Sequence, residues 1–184
     1  QVGDLFKSII GGGTPSRKEV KYWNGDIPWM TVKDMSSRKY VFDTEEYITE
    51  AGLEESSSNL IPENNLITST RMGIGRVYIN KVAVAINQDL KGLIPKNDYI
   101  LDYTYWLISS IAKQLEQKGT GSTVKGIRLE VFKSLEIGIT MNKTEQEEIA
   151  EILSSVDEKI TVNKKLKEKL ALLKKGLMQD LLSG

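Results

Sequence analysis

The sequence predicts an α+β protein: a globular mixed-sheet domain over residues 1–142, followed by one long helix over 143–184. Three observations carry that prediction. Before residue 143, short apolar runs rich in β-branched residues alternate with Gly, Asn and Pro turn signals, as short strands do. A single amphipathic stretch, Tyr103–Lys118, interrupts them. After residue 143, apolar residues recur every three or four positions with no Pro or Gly before Gly176, the periodicity of a helix.

In chain order, Ile27–Val32, Asn65–Ser69, Gly75–Ile79, Val82–Ile86 and Leu135–Ile139 are the expected strands. Asn24-Gly25 and Asn80-Lys81 have the composition of turns, and a short helix is expected after Thr49. Asp102 is the expected cap of helix Tyr103–Lys118, which sets Trp106, Leu107, Ile111 and Leu115 on one side and stops at Gly119. Thr144-Glu145-Gln146-Glu147 reads as a capping box, its hydroxyl and carboxylate satisfying backbone donors at a helix start. Beyond it, Ile149, Leu153, Val156, Ile160, Asn163, Leu166, Leu170, Leu173 and Leu177 form a heptad seam suited to dimerisation. From Glu145 to Leu182 such a helix measures about 57 Å. That is longer than a domain of this size covers, so the helix should project and need a partner.

Charge points to the partner. The chain balances 25 Lys+Arg against 25 Asp+Glu, but the charges are segregated. Lys143–Glu158 holds one base and six acids, net −5, whereas Lys159–Lys175 holds seven bases and one acid, net +6. Acids first and bases last suit the helix dipole. Two parallel copies would set like against like, while antiparallel copies oppose each acidic half to a basic half. Asn163, near the middle of the seam, is a residue type that fixes register. An antiparallel pair with a helix of the same kind is expected.

Composition also excludes functions. With no Cys and no His there is no disulfide, thiolate nucleophile, Cys-ligated zinc or Ser-His-Asp triad. No run approaches the ~20 apolar residues of a membrane span, and no signal peptide opens the chain, so a cytoplasmic protein is expected. Its first residue is Gln1 rather than Met, as expected of a chain trimmed from something longer. Gly121–Gly126 has the glycine spacing of a P-loop but continues Ile127-Arg128 without the phosphate-gripping Lys, and Gly11-Gly12-Gly13-Thr14-Pro15 lacks dinucleotide spacing. Asp102 with Glu116-Gln117-Lys118 fits a loose magnesium-nuclease pattern, yet Asp4 with Glu19-Val20-Lys21 fits it equally well. No catalytic residue, metal or cofactor is therefore expected. A stand-alone magnesium-dependent nuclease and a coiled-coil interaction module without DNA binding are the alternatives.

Within the first domain, residues 1–39 carry net +3, residues 40–70 net −7 and residues 71–133 net +5. Lys113, Lys118, Lys125, Arg128 and Lys133 surround the Gly119-Thr120-Gly121-Ser122-Thr123 loop, whose backbone donors and hydroxyls suit phosphate contacts. Ser69-Thr70-Arg71 and Asn87-Gln88-Asp89 follow strands, where Arg, Asn and Gln can meet base edges.

Six segments, in order, resemble the DNA-specificity subunits of type I restriction-modification systems. They are Gly12–Ser16, Tyr22–Trp29, Ser69–Gly75, Ala85–Gln88, Gly119–Thr123 and Glu145–Leu153, with Leu181-Leu182-Ser183-Gly184 at the close. The resemblance implies a DNA target recognition domain over 1–142 and a spacer and dimerisation helix over 143–184. It also implies a non-catalytic subunit that reads half of a bipartite duplex-DNA site and scaffolds modification (methyltransferase) subunits, with a restriction/translocase subunit joining them. Such subunits usually carry two of these units; this chain has one, so it is either a half-length subunit that homodimerises or one half of a longer chain. The self-complementary helix charges favour the homodimer, which would read a palindromic bipartite site. Carried onto this chain, the DNA-facing candidates are Thr14, Ser16, Ser69, Thr70, Arg71, Asn87, Gln88, Ser122, Thr123 and Lys125, with Lys91 and Arg128 added for their charge.

Overall fold

The computed structural model describes residues 1–35, 39–121 and 125–182. Its strands are β1 (Phe6–Gly11), β2 (Trp23–Met30), β3 (Tyr40–Val41), β4 (Glu46–Ile48), β5 (Asn59–Ile61), β6 (Leu66–Ser69), β7 (Val77–Asn80), β8 (Val84–Ile86) and β9 (Leu90–Pro95). The helices are α1 (Glu50–Glu54), α2 (Leu101–Ser110), α3 (Ala112–Lys118), α4 (Leu129–Ser134) and α5 (Lys143–Leu182).

The strands form a five-stranded sheet, β1-β9-β6-β7-β3, and a four-stranded sheet, β4-β2-β8-β5. Pairing is mixed: β2 with β8 and β3 with β7 run parallel, the others antiparallel. Alternation along β6 and β7 explains the layers. Leu66, Val77 and Ile79 join Leu93, Ile108, Leu115 and Phe132 between the larger sheet and the helices. Ile67 and Tyr78 face the other way, onto Met30, Ile61, Val84 and Ile86 of the smaller sheet. With both faces covered, β6 and β7 are buried throughout and read as unbroken apolar runs.

The turn at Asn80-Lys81 forms as expected, and buried Asn80 ties the sheets together: its amide donates to the Pro62 and Val82 carbonyls at 2.7 and 2.9 Å and accepts from Asn65 N–H at 3.0 Å. The short helix after Thr49 is α1, whose Gly52 N–H donates to the Thr49 hydroxyl. Asn24-Gly25, by contrast, is a bulge inside β2, with Asn24 left-handed at φ +60° and the pairing with β4 shifted between Trp23 and Ile27.

Four other expectations change. Leu135–Ile139 is not a strand: Leu135 packs into the helical core and its carbonyl accepts from Val2 N–H at 2.8 Å, so packing alone satisfies its alternation. Tyr103–Lys118 is two helices, α2 and α3, parted at Ile111, where the Ser109 and Ser110 hydroxyls donate back to the Tyr105 and Leu107 carbonyls. Asp102 does not cap α2; its carboxylate pairs with Lys39, and the Ile100 N–H donates to Gln146 Oε1 at 2.9 Å. Nor does Thr144 cap α5. Asn142 Oδ1 accepts from Thr144 N–H at 3.0 Å, so the helix starts two residues earlier than the capping box implies.

α5 begins docked and then leaves the domain. Gln146 and Ala150 are buried, Ser154 and Asp157 half-buried, and from Glu158 to Leu182 every residue but Gly176 is exposed.

Candidate nucleic-acid interface

Strand register brings distant loops to one edge of the fold. Gly11 pairs with Lys91, Ser69 with Leu90 and Thr68 with Val77, so β1 and β6 end where β9 and β7 begin. Met30 pairs with Ile86, so β2 and β8 end at that edge too. Four segments therefore meet there: 12–16, 70–76, 87–89 and the crossing chain around Gly126.

Two glycines let the first segment close down on the third. A Cβ at Gly12 would sit 2.1 Å from the Ile86 carbonyl oxygen, and one at Gly13 1.9 Å from Ser57 Oγ. Without side chains there, Gly13 N–H donates to the Ile86 carbonyl at 3.0 Å and Thr14 arrives over Gln88. The Thr14 hydroxyl donates to Gln88 Oε1 at 2.5 Å, joining residues 74 positions apart at an exposed point.

The second segment is braced from beneath. Thr70 N–H and Oγ1–H both donate to the Asp89 carbonyl, at 2.9 and 3.1 Å, and the Thr70 carbonyl accepts from Ile127 N–H at 2.9 Å. The Ser69 hydroxyl donates to the Arg71 carbonyl and accepts from Arg71 N–H. Met72, Gly73 and Gly75 all have positive φ, at +48°, +100° and +82°, which folds the loop tightly and exposes Arg71 and Met72. Gly126 bridges to Arg71 on one side and Thr120 on the other, holding exposed Lys125 near Arg71.

Asp89, to which the sequence assigns no role, organises the cations. Its carboxylate is 3.6 Å from Arg71 Nη1 and accepts from Asn87 Nδ2 at 3.4 Å, while Asn87 Oδ1 accepts from Asp89 N–H at 3.1 Å. The Lys91 ammonium donates to the Gln88 and Leu90 carbonyls; burial pushes its pKa down, with Asp89 pulling it up and Arg71 adding to the fall. Only the spacing of Asn87 and Asp89 in an Asx-type turn offered a sequence signal for this arrangement.

Of the expected DNA-facing set, Thr14, Arg71, Gln88 and Lys125 are exposed at this edge, and Lys91 is half-buried in it. Ser69, Thr70 and Asn87 lie there too but are buried, their polar atoms bonded within the loops. Ser16 is exposed, its carbonyl accepting from Trp23 Nε1, and Arg128 is exposed just ahead of α4. Ser122 and Thr123 lie outside the described residues. No cluster of three or more His, Cys, Asp or Glu able to hold a metal occurs among the described residues.

The α5 seam is open. Leu153, Val156, Ile160, Leu166, Leu170, Leu173 and Leu177 are between 40% and 59% exposed, a continuous apolar stripe on a helix with little of its own domain beside it. Asn163 is exposed and Ile149 half-buried. No described helix is long and apolar enough to cross a membrane.

Residues 1–172 match the family model for the type I restriction modification DNA specificity domain. The chain is 38% identical over 163 residues to the EcoR124I/EcoR124II specificity subunit of Escherichia coli, covering 85% of this chain and 40% of that one. To the MjaIX specificity subunit of Methanocaldococcus jannaschii it is 34% identical over 171 residues, covering 89% and 39%. It thus spans less than half the length of these relatives. Among solved structures, the HsdS subunit from Thermoanaerobacter tengcongensis matches with a TM-score of 0.68 at 14% identity, over 88% of this chain and 37% of that one. A chain from a structure of type I restriction-modification complex assembly and conformational transition matches at 0.80 and 16% identity, over 100% and 44%. The second likeness takes in the whole chain, the projecting helix included. The chain belongs to the family of DNA-specificity subunits of type I restriction-modification systems.

Proposed function

We propose that residues 1–142 are a target recognition domain that reads one half of a bipartite duplex-DNA site through the loop edge, without catalysing any reaction. The observation that carries this reading is the convergence of Thr14, Arg71, Gln88, Lys91 and Lys125 at one edge, on loops braced from below. Arg71 and Lys125 contact phosphates or guanine, and the Thr14–Gln88 pair presents an amide able to meet an adenine edge. Residues 143–184 form the spacer and dimerisation helix. Modification subunits assemble on this scaffold, a restriction/translocase subunit joins them, and the complex works in the cytoplasm.

The helix partner is a second copy, antiparallel. The seam steps 4, 3, 4, 3, 3, 4, 3, 4 from Ile149 to Leu177 read the same in both directions about Asn163. Antiparallel copies in that register set Ile149 on Leu177, Leu153 on Leu173, Val156 on Leu170, Ile160 on Leu166, and Asn163 on its own copy. The same register opposes Asp157 to Lys169 and Glu151 to Lys175, favouring it over a parallel alignment. Two-fold symmetry then makes the DNA site palindromic with a fixed spacer.

Sequencing of methylated sites, with the chain supplied to its cognate methyltransferase subunits, tests this. Two inverted half-sites at a single spacing are expected. Methylation at one uninterrupted site, or at none, refutes the reading.

A further inference from the structure

The joint between α5 and the domain holds a lysine that the DNA edge does not use. Lys39 has a side chain only 8% exposed, and its ammonium pairs with the Asp102 carboxylate of α2. It also lies 4.9 Å from the Tyr105 ring centroid, 5.2 Å from Trp106 and 5.3 Å from Tyr40, an aromatic surround that favours a desolvated cation. From there it crosses to the long helix, donating to Ser154 Oγ at 3.1 Å. Trp106 Nε1 donates to the same oxygen at 3.1 Å. One α5 hydroxyl thus takes a hydrogen bond from each of two groups of the domain.

A second anchor sits eight residues earlier. Gln146, fully buried, accepts from Ile100 N–H at 2.9 Å and donates to the Thr140 and Asp98 carbonyls at 2.9 and 3.2 Å. Gln146, Ala150 and Ser154 recur every four residues along one stripe of the helix. Anchors about 12 Å apart along a rod fix its direction, whereas either alone leaves a pivot. Beyond Ser154 the rod runs about 42 Å to Leu182, so about 10° of slack at the joint moves its tip roughly 7 Å. That is about two base-pair steps of duplex DNA.

Building on the proposed function, we infer that Lys39 and Ser154 are positioning residues that set the spacing between the two half-sites. They touch no DNA; they hold the angle at which each domain meets its helix. Helix length alone cannot hold a spacer fixed when the joint is loose.

Ser154→Ala is the cleaner test, since it leaves Lys39 paired with Asp102 inside its aromatic surround; Lys39→Met is the stronger one. Each variant, assembled with the cognate methyltransferase subunits, is read by sequencing the methylated sites. Unchanged half-sites are expected, with the share of sites one or two base pairs off the wild-type spacing rising roughly tenfold, the factor one charge-assisted hydrogen bond carries. Unchanged spacing in a folded Ser154→Ala complex overturns the inference while leaving the bipartite reading intact. Altered half-sites also overturn it, because the joint would then be acting on the reading loops. If Lys39→Met does not fold, Ser154→Ala decides alone. Failure of the wild-type complex to methylate any bipartite site is a different result and removes the proposed function itself.

Discussion

The proposed helix register can be tested by cross-linking, because the chain contains no cysteine of its own. Leu153 and Leu173 each lie ten residues from Asn163, on opposite sides, and are 40% and 59% exposed. Changing either to Cys should therefore leave the domain folded. In the antiparallel register, residue 153 of one copy lies beside residue 173 of the other. The two copies of residue 153 are twenty residues apart along the pair, about 30 Å. A disulfide needs Cα atoms within about 7 Å. Mild oxidation of an equimolar mixture of Leu153→Cys and Leu173→Cys chains should give a covalent dimer on non-reducing gels, and neither variant should link to itself. A chain carrying both changes should close two cross-links per dimer, countable by mass spectrometry. Parallel in-register helices predict the reverse, with Leu153→Cys linking to itself. Self-linking of Leu153→Cys as efficient as the mixed reaction would refute the register.

Further predictions address the head and the joint. Gln146→Leu keeps side-chain bulk but orphans three backbone groups; at about 1–3 kcal/mol each, partly recovered by water, the loss should exceed about 3 kcal/mol and lower the Tm by roughly 10 °C. A fall of less than about 2 °C in a calorimetric scan would mean that Gln146 is not the anchor its contacts imply. Arg71→Ala or Lys125→Ala should weaken DNA binding by the assembled complex and lower its salt-dependence slope by about one per lost phosphate contact, measured by titration at several salt concentrations. Affinity unchanged at every salt concentration removes the residue from the interface. Glu46 accepts two hydrogen bonds from the Arg17 guanidinium, which hold its carboxyl below the usual glutamate range. A lowered folded-state pKa stabilises the protein above the ordinary glutamate value, and that contribution is lost as pH falls through the folded value. Glu46→Gln should therefore cost stability at pH 7 and progressively less below about pH 4, read from urea midpoints. A gap that stays constant or widens on acidification contradicts the sign.

How much of this was legible depends on whether local pattern or tertiary contact decided the outcome. β6, β7 and β8 are covered on both faces and appear as apolar runs, so they were readable. β9 was not, because Gly92 and Pro95 look like breakers. Yet Gly92 is required where it stands, since a Cβ there would meet Ile61 Cδ1 at 2.2 Å across the two sheets. β4 and β5, three residues each, are too short for a periodicity to register. Both capping errors come from tertiary contacts that a local pattern does not show. α2 starts at Leu101, ahead of Asp102, whose carboxylate turns to Lys39, while Gln146 turns its amide into the domain to take the Ile100 N–H and Asn142 starts α5. The seam, by contrast, is a local property of a helix without tertiary competitors over most of its length. Glycine spacing and polar loops marked segments that the fold brings to one edge. Their pairing did not follow from sequence: Thr14 with Gln88 and Thr70 with Asp89 are contacts set by strand register.

That register also bears on how a chain of zero net charge can serve a DNA-binding family. A net charge of zero argues against a basic whole-domain footprint. The loop edge repeats the balance at close range, because Asp89 stands against Arg71 and beside Lys91. Without DNA, Arg71 is partly neutralised by a carboxylate that the Asn87 turn holds in place. Under the proposed function, a phosphate or guanine must compete with Asp89 for it, so generic duplex would gain little from the exchange. A half-site that also satisfies the neighbouring polar groups gains more. Under the proposed function, a weakly charged reading edge limits non-specific binding, and tight binding requires two such edges at a fixed separation. The charge segregation of α5 and the anchored joint at Lys39 and Gln146 bear on the same requirement, since both act on the distance between one edge and its copy.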